Sequence, residues 1–206
     1  MTVWRFPVLC VVSVLGGMKS VCGWKLWVGE DIALSGVWAE KQTYRLAGFW
    51  MMLYGLLWFA SGKSAAFIRL VDLLCTYGIL AAVDGKRRIV PDSILLCYFL
   101  DQMLLGALSM PAGRLLYIFL TGGIFTAAIC GFSWLSKGKM GMGDARLLGV
   151  TAMTAGWEFG LQMLILAVMI SFVYSIGLLV FFKKSVRTEF PFVPFLAAGI
   201  VVSIVF

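Results

Sequence analysis

Two aspartates stand at the edges of apolar runs, and a pair of carboxylates that can meet is sufficient chemistry to hydrolyse an amide. Asp84 closes one apolar stretch and opens the loop Asp84-Gly85-Lys86-Arg87-Arg88-Ile89-Val90-Pro91-Asp92, and Asp144 follows the turn Gly141-Met142-Gly143. A carboxylate beside bilayer-depth sequence is expensive to keep there, which makes it a functional candidate. Hydrolysis by such a pair needs one ionised member to take a proton from water. The other must be protonated, to polarise the carbonyl and then protonate the leaving nitrogen. Two close carboxylates share one proton because both cannot stay charged side by side, and they titrate as a pair.

This chemistry requires no metal, no cofactor and no histidine. That suits a chain with no histidine and with five scattered cysteines, Cys10, Cys22, Cys75, Cys97 and Cys130, in no Cys-x-x-Cys pattern. A zinc site, or a serine or cysteine protease with a histidine base, would need residues from another chain. The cysteines read as small apolar helix residues. Gly141 and Gly143 allow close approach of a substrate backbone and positive φ angles. Each aspartate taken alone also has a plain structural reading. Asp144 is placed to cap the helix 145–156, and Asp84 is placed as a helix-end charge at an interface.

The elements that must position these residues are membrane helices. Of the 206 residues, 62% are hydrophobic and only 13% charged, with a mean hydropathy of +0.98. A soluble domain is about a quarter charged, and one of this size cannot hide so much apolar surface. The chain reads as all-α, a polytopic transmembrane bundle of about six to eight helices. Apolar runs long enough to span are expected at 65–83, 93–109, 114–135, 160–182 and 190–206, with a shorter one at 46–60. The run 147–156 spans only if its helix starts at Asp144 and continues past Gly156. Residues 3–15 are a candidate span, whereas 24–38 carries Glu30 and Asp31 and suits the interface. The first 15 residues lack the features of a cleaved signal peptide and are read as retained.

The net charge of +7 is no nucleic-acid signal, because the basic residues fall in the short gaps between apolar runs. With the Asp84 loop set on the cytoplasmic side, helices alternate so that Lys86, Arg87, Arg88, Lys137, Lys139, Arg146, Lys183, Lys184 and Arg187 all lie inside. Arg114 alone lies outside in the same region, a strong positive-inside bias. Working back, Lys41 and Arg45 fall inside and Lys63 outside. Asp84 and Asp144 share the cytoplasmic side.

In sequence context the two aspartates gain weight. The Asp84 segment with Val90-Pro91-Asp92, and Gly141-x-Gly143-Asp144-x-Arg146-Leu147, resemble the type IV prepilin peptidases, a branch of the GxGD membrane aspartyl proteases. The segment Phe190-Pro191-Phe192-Val193-Pro194-Phe195 with Ala197-Ala198-Gly199 is similar to the start of that family's last helix. The resemblance covers residues 65–206. It implies Asp84 and Asp144 as the catalytic pair, which of them is the base being left open, with Gly141, Gly143, Arg146, Pro91 and Asp92 as motif support. It also implies removal of the basic leader from a prepilin-like substrate (pilin, pseudopilin or flagellin-like) at the cytoplasmic face of the inner membrane. The cysteine pairs of larger, N-methylating members are lacking here, which implies a peptidase-only form. Residues 61–206 would then be the protease domain and 1–60 a membrane-associated segment of open topology. The alternative from another class is a non-enzymatic membrane protein, a small transporter or assembly scaffold. The number of associating chains is left open by the sequence.

Other polar residues sit at bilayer depth. Arg69 and Asp72 are three apart on one apolar helix and are expected to pair. Asp101 and Gln102 fall mid-helix, placed either to bond across helices or to line a water cavity. The loop Lys86-Arg87-Arg88 suits topology and anionic lipid, or the positioning of substrate near Asp84.

Overall fold

The computed structural model describes residues 5–28, 41–60, 65–136, 140–182 and 190–205. Among them are eight helices and no strand: α1 (Arg5–Val28), α2 (Lys41–Ala60), α3 (Ala65–Arg87), α4 (Asp92–Ser109), α5 (Ala112–Leu135), α6 (Met142–Ala155), α7 (Trp157–Phe182) and α8 (Val193–Val205). Lys63, Lys137, Lys139, Lys183, Lys184 and Arg187 of the charge count lie outside the described residues, as do Glu30 and Asp31.

Four helices, α3, α4, α5 and α7, are long and apolar enough to cross a membrane, and the chain fits an integral membrane protein. Two of them, α5 and α7, turn large apolar side chains such as Leu116, Ile124, Ile165 and Phe172 outward. In a bilayer these faces meet lipid, so their exposure costs nothing. The buried core is gathered mainly from the other helices, Met18 and Cys22 of α1, Tyr77 and Leu80 of α3, Ile94 and Tyr98 of α4, Leu147 and Leu148 of α6, and Leu196 and Ile200 of α8, with Met163 and Ala167 from the inner face of α7.

Small residues set the closest approaches, as expected where van der Waals contact rather than water drives helix packing. A side chain at Gly17 of α1 would strike the Thr43 carbonyl of α2 at 2.6 Å. A side chain at Gly122 of α5 would overlap the Ala152 carbonyl of α6. Through that second contact α6 is pressed along α5, which fixes the helix that carries Asp144.

Two expectations for helix extent are corrected. Residues 5–15 of the candidate span 3–15 belong to a single helix running to Val28, so Trp24 continues α1, while 29–38 of the expected interfacial segment lie outside the described residues. The helix of Asp144 does not continue past Gly156. It stops there, with Gly156 at φ 112°, and α7 starts at the next residue. A side chain at that φ is strained, so glycine permits the abrupt change of direction. At 14 residues, α6 is about 21 Å long, short of the roughly 30 Å hydrocarbon core.

Deep in the bundle the ion pairing differs from the expected Arg69–Asp72 pair. Asp72 is held instead by Lys19 of α1, which also lies 2.6 Å from Asp101, and all three side chains are 0% exposed. Asp72 further accepts from Tyr54 at 2.7 Å and Gln102 at 3.0 Å. Lys19 donates to Thr76 at 3.0 Å. Asp101 is held by its ion pair with Lys19 and has no other polar partner among the described residues. Arg69 reaches away, to Gln102, Ser109 and the Thr154 carbonyl at 3.3, 3.3 and 2.6 Å. Two cations thus accompany two anions across α1, α3, α4 and the end of α6.

Candidate active site

Asp84 does not open a loop. It lies in the last turn of α3 and is buried. The helix ends three residues later at Arg87, and just beyond it the Arg88 N–H bonds the Asp84 carbonyl at 2.8 Å and Arg88 takes φ 55°. That left-handed residue turns the chain back toward Val90 and Pro91, at a strain of about 1 kcal/mol for a side chain other than glycine. The Asp84 carboxylate accepts a hydrogen bond from the Val193 N–H at 3.1 Å. Val193 is the first residue of α8, with the Phe192 carbonyl accepting the first bonds of that helix. A first-turn N–H has no partner within its own helix, and the positive end of the helix favours an anion. Sequence reasoning named the 190–199 segment as a motif but not this contact. The available signal was Pro191 and Pro194, which mark a helix start.

Asp144 is not a helix cap. The helix starts at Met142 with Gly141 at the cap position, and no side chain caps it. Asp144 instead sits inside the first turn, with Oδ2 against Gly141, where an added Cβ would stand 2.9 Å from that oxygen. At Gly143 an added Cβ would stand 3.0 Å from the Val90 Cβ. Both glycines are therefore demanded by space: one for the carboxylate, the other for the loop that follows Asp84.

The two motifs are tied together twice. Arg146 donates to both oxygens of Asp92 at 2.9 and 3.0 Å, joining α6 to the start of α4. With side chains 51% and 70% exposed, the pair is worth at most about 1 kcal/mol. Arg146→Ala is accordingly expected to lower thermal stability by no more than that. The double charge swap Arg146→Asp with Asp92→Arg should restore the loss, as read by a double-mutant cycle of unfolding.

The second tie is buried. Tyr77 Oη and Thr151 Oγ1 are 2.7 Å apart, and Tyr98 Oη of α4 is 3.4 Å from the same hydroxyl. Tyr77 precedes Asp84 by seven residues and Thr151 follows Asp144 by seven. Seven residues are two helical turns, so each aspartate shares a face with its own anchor about 10.5 Å away. The two helices run in opposite directions through that contact. The register therefore brings Asp84 and Asp144 to one level on facing sides. Thr151→Val should lower kcat of whatever reaction the pair performs by about tenfold with KM little changed, a signature of misplacement rather than lost binding. Equal loss in both parameters would count against a positioning role.

The electrostatics agree with this geometry. Burial pushes the Asp144 carboxyl up to about 6, with the charge of Asp84 adding to it. A negative neighbour penalises ionisation, so removing it must lower the pKa. Asp84→Asn is expected to move Asp144 downward from about 6, while burial, the larger cause, keeps it above the ordinary value. Carboxyl-stretch infrared titration reads the shift, and an unchanged midpoint would show the two groups to be independent. A coupled, half-sheltered carboxylate pair can hold one shared proton, with one member ready to accept from water and the other to donate.

Comparison with protein families matches residues 71–176 to the type IV leader peptidase family. The matched segment contains both aspartates. A curated relative, "Prepilin leader peptidase/N-methyltransferase" of Pseudomonas aeruginosa, is 27% identical over 206 residues, covering 94% of this chain. The chain spans 64% of that relative's length. At 94% coverage the likeness extends into residues 1–60, beyond the motifs that carried the sequence resemblance. No solved structure matches the chain.

Proposed function

From the premise that the chain belongs to the type IV leader peptidase family, we propose that it is a membrane aspartyl endopeptidase that removes the leader of prepilin-like precursors. The observation that carries this reading is the Tyr77–Thr151 contact, whose register brings Asp84 and Asp144 to one level on facing helices, and the upward push of Asp84 on the Asp144 carboxyl agrees with it. In the proposed reaction a water sits between the carboxylates. The ionised member takes its proton as the oxygen attacks the scissile carbonyl. The protonated member hydrogen-bonds the carbonyl oxygen as it becomes an oxyanion, then gives its one proton to the leaving nitrogen as the C–N bond breaks and the carbonyl re-forms, so the shared proton ends on the member that took it from water. The Val193 N–H holds one oxygen of Asp84 and so directs the other at the water. Gly141 lets the Asp144 carboxylate sit against the turn, and Gly143 lets the loop that follows Asp84 close against it. Arg146, Asp92 and Pro91 order the wall around it.

The pair lies at the same end of the bundle as Lys86, Arg87 and Arg88, and the positive-inside bias of the sequence supports a cytoplasmic face for it. The proposed location is the inner membrane, with the bilayer and a prepilin-like chain as partners. Methyl transfer is left out of the proposal, because the cysteine pairs associated with it are lacking in this chain. The unit 61–206 is proposed to hold the catalytic machinery, with α1 and α2 packed into it rather than separate from it. The test is incubation of the purified protein in liposomes with a precursor bearing a basic leader before an apolar helix. A leader-sized mobility shift is expected. Its absence across pilin, pseudopilin and flagellin-like precursors would sink the reading.

A further inference from the structure

At the end of the bundle away from the aspartates, α5 and α7 start side by side, with the Gly156 break of α6 between them. They enclose a cavity of about 340 Å³ lined in part by Arg114, Tyr117, Gly156, Trp157, Glu158 and Gln162. Arg114 and Glu158 are an exposed cation and anion in one cavity, and neither makes an ion pair among the described residues. Both helices are of spanning length and start at this level, which puts the cavity at the headgroup boundary. Trp157 and Tyr117 stand where interfacial aromatics belong. Below it, exposed Ile165 and Met169 of α7 continue the face of Glu158 and Gln162 as an apolar surface.

The guanidinium fork matches two phosphate oxygens, and a carboxylate with an amide beside it matches a primary ammonium. We propose that this cavity binds one bilayer phospholipid whose headgroup carries both a phosphate and a primary ammonium. Arg114 holds the phosphate, Glu158 and Gln162 hold the ammonium, and the acyl chains lie along α7. The bound lipid braces the turn at which the helix of Asp144 ends.

The test uses the full chain in mild detergent, titrated with phosphatidylethanolamine or phosphatidylglycerol and read by native mass spectrometry. Wild type is expected to retain phosphatidylethanolamine about fivefold better, the worth of one exposed charge contact. Glu158→Gln should erase that preference while leaving binding of phosphatidylglycerol unchanged. Arg114→Gln should weaken both lipids. Both residues are exposed, and unaltered helical content by circular dichroism checks each variant. Equal retention of the two lipids by wild type would overturn the proposal, as would a preference that survives Glu158→Gln. Displacement of the lipid by millimolar free phosphoethanolamine would assign the cavity to a soluble zwitterion and overturn it as well.

Discussion

Asp84→Asn or Asp144→Asn is expected to reduce leader removal by about a thousandfold or more, the scale of losing a positioned acid or base, with the protein still folded and inserted. Asparagine keeps the size of the side chain but can neither ionise nor hold the shared proton. The fold should tolerate it at position 84, because the amide oxygen can still accept from the Val193 N–H that now bonds Asp84 at 3.1 Å. At position 144 the neutral side chain removes a charge whose burial is already unfavourable, burial being the larger cause of its raised pKa. Loss of activity with retained stability would therefore separate a catalytic pair from a structural one. The measurement is cleavage of a precursor in liposomes beside a thermal unfolding curve of each variant. Normal processing by either variant would end the aspartyl mechanism. The double variant should be no slower than the worse single one, because residues that act as a unit are not additive.

The second large effect lies far from the peptide. Lys19→Met is expected to destabilise the protein by about 3–5 kcal/mol, the usual cost of stripping one partner from a buried ion pair. Lys19 is the sole cation in contact with both Asp72 and Asp101 among the described residues. Without it Asp72 keeps Tyr54 and Gln102, but Asp101 is left with no hydrogen-bond or ion-pair partner among the described residues. The triple variant Lys19→Met, Asp72→Asn, Asp101→Asn should regain most of the loss, since a buried neutral set avoids the desolvation of charges. Unfolding in detergent reads both results. An unshifted Lys19→Met would mean that these carboxylates are neutral or solvated. Because Lys19 lies on α1, the same result tells whether the N-terminal segment is an integral part of the bundle or an appendage.

The helices themselves were legible in the sequence, because a bilayer demands long apolar runs and those runs are local. The runs at 65–83, 93–109, 114–135 and 160–182 correspond to α3, α4, α5 and α7. The boundary errors have a shared cause. Charge next to an apolar run looks like a helix end, so the sequence suggests that Asp84 ends its helix and that Asp144 caps one. In the structure both are helical, and tertiary contacts, not local sequence, stabilise them there. The Arg69–Asp72 pairing failed for the same reason. Spacing put them on one face, but a buried cation 53 residues away in the chain outcompetes a near neighbour for Asp72.

By itself the sequence determined that the chain is helical and membrane-embedded, and it singled out residues 84 and 144 by chemistry, glycine context and family pattern. These are properties of residue type and local order, which composition and periodicity carry directly. Only the tertiary structure decided which groups meet: Val193 N–H at Asp84, Thr151 against Tyr77, Arg146 on Asp92, and Lys19 between two carboxylates. Such contacts join helices far apart in the chain. Their choice depends on rotation and depth in the bundle, set by close approaches such as Gly122 on Ala152, and no local pattern records that.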